Sequence, residues 1–572
     1  MKLRFYSLAL VVALLPFAVR PAPAEVSLKN GNFFTGSKDV VFSGGFELKI
    51  ERVYNSKTAF KGIFGYGWGN EYEVYLEVGG DGAVIVHEYG GGAENRFDSP
   101  TMSADEIAGA ADKIAAVAKA QSDISGEQGL SDYRQRLIND ASFREDEWQK
   151  YIKKGLLQPR ALATGTRLTS NRFSYQYITV QHDGYRRDFD NGRTEFYRKD
   201  GKLRQISDKN GNFITFSYDV PGQITIRDDS NRSLILTFNE RGLVTRIQGS
   251  DGKLCTYRYN SLDELVGAID TDHQEYTYEY DAAKRHNMTK MSYPDKTTQL
   301  ISYYPREQFE NVKTITDRDG TLTEYAYLID PKNPLHYTVS VNVSNSPDAA
   351  GKRKQISSST YEYVNQTKPD GEEYTSRMIT VLDGDRTDTT YNLIGLPTRI
   401  DRNGEAVSFE YDDHGHVTKK VEPDVTTTLT YDPVASKVTS VKKTDTKTGK
   451  TTSSAQFTYD PKGNLLTASS NGTSVTLLYD TRGRISELDA SNGNRITFEY
   501  NANSKPLKIS LLEHKDKSGK VVPAASIDVL YGDNGEILKV DSTAGRGIAL
   551  AVTSAFQELL DVIRPAGVNL SF

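Results

Sequence analysis

The sequence predicts a mainly β protein: hairpins repeated about every twenty residues and wound into a spiralling β-shell, with a small α-helical insertion and a C-terminal helix. Three observations carry this. Aromatic residues recur at a near-constant step: Tyr197, Tyr218, Phe238, Tyr259 and Tyr280 lie 20 or 21 apart, as do Tyr391, Tyr411 and Tyr431, and then Tyr459, Tyr479 and Tyr500. Around these positions apolar residues alternate, as in Val475, Leu477, Tyr479 and Ile496, Phe498, Tyr500, the mark of a strand with one buried face. From residue 101 to 165 the alternation stops and Ala-rich, charged sequence with helical spacing takes its place.

The repeating unit is clearest from Phe457 to Tyr500. Each copy opens with Tyr-Asp-x-x-Gly, as at Tyr459 to Gly463 and Tyr479 to Gly483, where Asp can bond the following amides and Gly can take positive φ. A strand follows, Arg484 to Leu488 in the second copy. Then comes Asn471-Gly472 or Asn492-Gly493, a strong hairpin signal, and the aromatic strand. One unit is two short antiparallel strands and two turns.

Taken in order, the chain opens with Lys2, Arg4, the apolar run Leu8 to Val19 and Ala22-Pro23-Ala24, which has the layout of a secretory signal peptide over 1–24. The run is too short to span a bilayer. Export is expected, to a periplasm, a cell surface or the medium. With Cys255 alone, no internal disulfide can form. The net charge of -6 and pI near 5.9 exclude a basic surface for nucleic acid.

Residues 25–100 read as a β domain without the twenty-residue period. Strand-like runs at Phe46 to Val53, Tyr72 to Val78 and Ala83 to His87 are separated by Gly-rich turns. Lys29 to Phe34, Arg52-Val53-Tyr54-Asn55-Ser56 and Phe64-Gly65-Tyr66-Gly67-Trp68 together resemble the N-terminal domain that opens RHS (YD-repeat) proteins. In 101–165, Ser103-Ala104-Asp105-Glu106 and Ser142-Phe143-Arg144-Glu145 fit capping boxes, and Gly155 is placed to end the second run. Ile107, Ile114 and Val117 give one apolar face. The segment is a lid, plug or docking arm, or simply a helical insertion packed on the sheet.

Over 166–540 the repeat governs. Leu203 and Ile206, Val244 and Ile247, and Pro397 and Ile400 stand three apart, so in a regular strand they would face opposite sides. Either a bulge restores them to one face or the strand is buried on both. Repeated bulges would coil a sheet of about two dozen strands into a curved wall. Tyr-Asp-x-x-Gly, Leu/Ile-x-x-Ile, Asn/Asp-Gly and aromatic-x-Tyr in succession resemble the YD repeat of RHS proteins, teneurins and the C-components of insecticidal toxin complexes. The resemblance implies a hollow β-shell. Residues 541–572 carry a helical face at Ile548, Val552, Phe556, Leu559 and Ile563, ended by Pro565, and then alternating Val568, Leu570 and Phe572. The lipid-facing band of a membrane barrel is missing from these polar repeats, so membrane insertion is not expected.

The chemistry to be found is sparse. The self-cleaving core motif of toxin-bearing relatives is not matched, and only 32 residues follow Val540. His414-Gly415-His416 beside Asp412 and Asp413 offers metal-ligand types but falls in a repeat turn. Asp208 to Gly211, Asp317 to Gly320 and Asp401 to Gly404 resemble half a calcium loop without its twelfth-position Glu. Cys255 lies in a strand with no His near in sequence. No catalytic residue, metal ligand or cofactor is assigned. The suggestive feature is the aromatic ladder of Tyr218, Tyr259, Tyr280, Tyr411, Tyr459, Tyr479 and Tyr500, which either contacts a ligand or packs the wall. The function expected is a non-enzymatic surface or extracellular module recognising a glycan or a protein. The alternative is a delivery or storage shell around a separately encoded polypeptide.

Overall fold

The computed structural model describes residues 22–42, 46–88, 93–170, 176–283, 285–369, 371–433, 436–470, 472–491, 493–502, 504–515, 519–531, 537–543 and 548. One sheet dominates: 33 strands, each antiparallel to the next and all in sequence order except for a small hairpin set aside at His514–Lys515 and Val521–Val522. Sequential pairing of this kind follows from two-strand units joined by short turns. The Asp of each turn explains why the turns hold. Asp460 Oδ1 accepts the amides of Lys462 and Asn464, and Asp480 Oδ1 those of Arg482 and Arg484.

The bulge is the answer to the three-residue spacing. In the hairpin around Tyr479 the register runs Leu478 to Glu487 and then Tyr479 to Ile485, so one residue is extra on the returning strand. The same shift falls at Tyr197, Phe238, Tyr259, Tyr280, Tyr391, Tyr411, Tyr459 and Tyr500. Leu203 and Ile206 are thereby both buried, as are Val244 and Ile247.

A bulge at one rim of every unit bends the sheet the same way each time, and the wall meets itself. Lys209 Nζ donates to the Gly463 carbonyl at 2.7 Å, Asn464 Nδ2 to Asn210 Oδ1 at 2.9 Å, Asn212 Nδ2 to the Arg482 carbonyl at 2.9 Å and Arg482 Nη1 to Ser230 Oγ at 2.8 Å. The approach is close: a Cβ on Gly483 would lie 2.1 Å from Asn210 Nδ2. Strand Leu203–Ser207 is fifth in the sheet and Leu465–Ser470 twenty-seventh, so one turn of the spiral takes 22 strands. At ~4.8 Å per strand that is roughly 100 Å around and ~30 Å across.

The N-terminal domain sits against the first part of this wall. Its sheet has the order Ala22–Ser27, Asn32–Phe42, Leu48–Asn55, Trp68–Asn70, and a second sheet joins Tyr75–Val78, Val84–Glu88 and Ala93–Phe97. The first strand begins inside the expected leader; residues 1–21 lie outside the described residues. Phe33, Ile50, Tyr54, Phe64 and Trp68 share one core with Ile206, Ile226, Ile247, Tyr257, Tyr278 and Ile315 of the wall. A single domain reaching so many consecutive strands on one face must lie on the concave side. It is also bonded to the rim carrying the Tyr-Asp turns: Leu76 N–H to the Gly201 carbonyl, Val244 N–H to Ile63, Tyr66 N–H to Asp263 and Val312 N–H to Gly31. Gly201, at φ +79°, would put a Cβ 2.0 Å from the Leu76 carbonyl oxygen.

The helical segment forms three helices, α1 (Ala104–Ala120), α2 (Glu127–Asn139) and α3 (Ala141–Lys153), with a core of their own around Ile114, Leu137, Trp148 and Tyr151. The Ser103/Glu106 capping box forms. The second expected box does not: Asp140 caps α3 through the Phe143 amide, and Ser142 lies within the helix. Asp is as good a cap as Ser and stands where the chain turns. Glu145 instead reaches the amides of Gly80 and Asp81, fixing the helices to the N-terminal domain. The expected C-terminal helix falls outside the described residues, apart from Ile548, whose side chain is fully buried against strands from Leu429 to Ala525.

Candidate functional site

The inner face of the wall is where the structure puts the chemically distinctive residues. Each tyrosine of the ladder donates its hydroxyl to the carbonyl of the bulge residue in the preceding unit. Tyr218 bonds Leu203 at 2.9 Å, Tyr259 bonds Val244 at 2.7 Å, Tyr280 bonds Leu265 at 2.9 Å and Tyr411 bonds Pro397 at 2.6 Å. Tyr459 bonds Val438 at 2.6 Å, Tyr479 bonds Leu465 at 2.8 Å and Tyr500 bonds Ile485 at 2.8 Å. Tyr303, Tyr431 and Tyr531 do the same.

The reason lies in the register. Between Leu465–Ser470 and Thr473–Tyr479 pairing stops at Thr467 and Thr476, so Leu465 has lost its ladder partner where the strands part. A buried carbonyl left there would be costly, and the phenol of Tyr479 spans the gap. Burial raises the hydroxyl pKa, to about 12 at Tyr218 and Tyr479, so these groups remain donors. The structure therefore spreads the seven tyrosines around the inner wall as braces and does not bring them together into one site.

Sequence reasoning missed the polar centre beneath the N-terminal domain. Arg52 is fully buried, with Nε 2.5 Å from Asp39 Oδ2 and both terminal nitrogens 3.3 Å from Tyr278 Oη. Tyr257 donates to the same Asp39 oxygen at 2.6 Å, and the guanidinium lies 4.8 Å from the Trp68 ring centre. Burial alone would lower the Arg52 pKa, but Asp39, Tyr278 and Tyr257 more than reverse it, so the cation persists. Trp68 Nε1 donates to Tyr280 Oη at 2.9 Å, and Tyr54 Oη accepts from Met288 N while donating to the His286 carbonyl. A signal was present: in Leu48–Asn55, Arg52 is in phase with Leu48, Ile50 and Tyr54, whereas apolar Val53 is in phase with Lys49 and Glu51.

Cys255 belongs to this centre, its Sγ 3.3 Å from the Asp39 carbonyl oxygen. Burial, then Asp39, pushes its thiol pKa up to about 12, which leaves it un-ionised and without nucleophilic character. The suspected metal sites are turns. Asp412 accepts the amides of His414 and His416 and bonds His416 Nδ1 at 2.9 Å, while His416 stacks on Tyr431. Asp208 and Asp401 likewise bond amides of their own turns. Among the described residues there is no group of three or more His, Cys, Asp or Glu side chains able to hold a metal ion.

Between Leu322 and Tyr431 the inner face is only half covered. The strands Leu322–Asp330, Asn333–Ser344, Gln355–Thr367 and Glu373–Leu382 are long, and Tyr325, Tyr327 and Tyr361 on them, like Tyr391 and Phe409 on the later strands Asp385–Tyr391 and Glu405–Tyr411, are not fully buried. Tyr337 and Tyr363 stack at 4.9 Å.

The family model described as RHS Repeat matches residues 259–298, the stretch that contains Tyr259, Tyr280 and their bulges. The chain carries an RHS repeat. A second model, a domain of unknown function (DUF6531), matches residues 24–97, the domain seated in the RHS wall. No curated protein matches in sequence. Among solved structures, the TcdB2-TccC3-TEV crystal structure is similar at TM-score 0.45 and 10% identity, over 91% of this chain and 28% of that one. The Photorhabdus luminescens Tc holotoxin pore gives TM-score 0.30 and 10% identity over 90% and 27%. A porin-like protein from Bacteroides uniformis gives TM-score 0.13 and 12% identity over 43% and 88%. The chain thus spans little more than a quarter of the TcdB2-TccC3 chains it resembles. Among the described residues no helix is long and apolar enough to cross a membrane.

Proposed function

We propose that this RHS chain is a non-catalytic enclosing shell whose inner surface holds polypeptide. The observation that carries the reading is the seam: a wall that meets itself after one turn separates an inside from an outside, which a flat adhesive sheet does not. Two further facts support it. The polar centre under the N-terminal domain is spent on internal bonds, and Ile548 is buried in the core lining the later strands of the wall. The leader-like residues 1–24 support work outside the cytoplasm, in a periplasm, at a surface or in the medium.

The second reading is recognition of a glycan or surface protein. The half-covered aromatics from Tyr325 to Phe409 favour it, since such rings stack on sugars or apolar side chains. The seven ladder tyrosines support it less, because their hydroxyls are already committed to the wall. Native mass spectrometry of the complex from its source, repeated after denaturation, tests the proposal. A second polypeptide released only on denaturation supports enclosure of cargo. A lone chain whose interior exchanges freely with added proteins and sugars overturns it and leaves the second reading.

A further inference from the structure

Two parts of the wall are stiffened by packed cores, and the part between them is not. The core under the N-terminal domain takes in wall residues as far as Ile315, with Tyr325 packed at its edge, and the core of the later wall begins at Leu429, with Val417 at its edge. Between Tyr325 and Val417 no described residue belongs to either core, although Val339, Tyr363 and Ile379 are buried one by one. Six strands, from Asn333–Ser344 to Glu405–Tyr411, therefore form a strip without a packed second layer among the described residues. Such a strip keeps its ladder hydrogen bonds while it bends, and few buried apolar contacts resist the bending.

The two stiffened parts meet again at the seam, where the contact is thin. It consists of side-chain bonds at turns: Lys209 to the Gly463 carbonyl, Asn464 to Asn210, Asn212 to the Arg482 carbonyl and Arg482 to Ser230. Among the described residues no backbone–backbone hydrogen bond crosses the seam, and the two cores share no residue. The N-terminal domain is held to the same first turn differently, by backbone bonds such as Leu76 N–H to the Gly201 carbonyl and by a common core. Water can replace the side-chain bonds when turns part, but it cannot replace a buried apolar core. The strip is also well placed. Asn333–Ser344 is seventeenth in the sheet and Leu203–Ser207 fifth, in a turn of 22 strands, so the strip begins across the ring from the seam.

We propose that the seam is the opening of the shell and the strip its hinge. The two packed parts separate where Lys209 meets Gly463 and Asn210 meets Asn464, while the strands from Asn333 to Tyr411 flex, so that an enclosed polypeptide passes without either part unfolding. This deepens the enclosing-shell reading, on which only the passage of polypeptide depends. The motion itself rests on the two cores, the strip and the seam.

The test is a pair of distances between spin labels in the full chain, with buried Cys255 left unlabelled. Arg227→Cys with Thr476→Cys spans the seam from exposed positions, and Arg227→Cys with Arg246→Cys lies within the first turn. Across the seam two populations are expected, the second longer by at least ~5 Å, about one strand spacing, against one narrow population within the turn. Asn210→Ala/Ser230→Ala removes two of the seam bonds and should raise the longer population several-fold without changing the distance within the turn. A single cross-seam distance as narrow as the other, unchanged in the double variant, overturns the proposal. Equal broadening of both distances overturns it too, since the whole wall would then be loosening. Small-angle scattering of unlabelled parent and double variant reads the opening independently as a larger radius of gyration in the variant, and equal radii count against it. Opening observed with no second polypeptide in the native complex would leave the hinge standing and remove the enclosing-shell reading.

Discussion

The wall from Arg167 to Thr316 and the wall from Leu322 to Tyr431 are built from the same unit, yet only the first is a closed core. In the first, Ile206, Ile226, Ile247 and Ile315 are buried under the N-terminal domain. In the second, the equivalent Ile400 is half-buried, although Gly395-Leu396-Pro397-Thr398-Arg399-Ile400 repeats the pattern of Gly242 to Ile247. The bulge, the turn and the tyrosine brace are identical in both. Backbone shape is therefore written into each unit, whereas burial depends on what another part of the chain brings to the inner face.

The strongest way to break this difference is to unseat the domain that creates it. Arg52→Met should cost ~3–5 kcal/mol of stability, because Asp39 is left buried without its cation. Urea unfolding of the first-turn unit measures it, and labelling of Cys255 by a thiol reagent reports whether the domain has left the wall. The double variant Arg52→Met/Asp39→Asn should recover a large part of the loss. If the single variant is as stable as the parent, the polar centre does not hold the domain.

A matched pair of truncations sharpens the comparison. Ile247→Ala should cost ~2–5 kcal/mol, since Ile247 is 1% exposed and its neighbours are fixed on two sides. Ile400→Ala should cost about 1 kcal/mol, because water already reaches that side chain. Equal losses would mean that the middle wall is covered in solution, by the chain or by a ligand.

A smaller difference is expected with pH. Glu73, in the N-terminal domain, accepts from Ile63 N, Asn70 N and Asn70 Nδ2, and burial raises its pKa from 4.5 to about 7. A raised carboxyl pKa means the folded chain binds the proton that the unfolded chain releases. Stability should fall as pH rises from about 4.5 to about 7 and level off above, with a slope approaching that of one proton. Glu73→Gln should flatten this part of the profile. Hydrogen exchange at Ile63 and Asn70 reads it locally, and an unchanged slope in the variant would assign the effect to other groups.

How much of this was legible in the sequence follows from where each cause lies. The hairpins, the bulges and the α1 cap are local, and Tyr-Asp-x-x-Gly, the three-residue Leu/Ile spacing and Ser103/Glu106 announced them. The seam was not legible, because Lys209 and Gly463 are 254 residues apart and nothing in either turn marks the other. Nor was the tyrosine brace. The spacing showed that an aromatic is needed at each unit but not why its hydroxyl matters, since the carbonyl it bonds becomes free only through the bulge of the unit before. Arg52 was legible in principle, by the phase it shares with Ile50 and Tyr54.

The brace gives the finest test of the two regions. Tyr280→Phe removes the donor to the Leu265 carbonyl and also the acceptor for Trp68 Nε1, under the N-terminal domain where water cannot replace either. A loss of ~1–3 kcal/mol is expected. Tyr411→Phe removes one donor, to the Pro397 carbonyl, on a wall that water can reach, so ~0.5–1 kcal/mol is expected. Phe238 sets the baseline: it occupies a tyrosine position in the first wall with no hydroxyl, and its bulge still forms, the pairing stepping from Thr237 with Arg246 to Phe238 with Val244. The hydroxyl therefore stabilises a bulge that the turn and strand already produce. If Tyr411→Phe instead unfolded the middle wall, the brace would be what shapes the bulge, and the curvature of the shell would depend on side-chain hydrogen bonds rather than on backbone register.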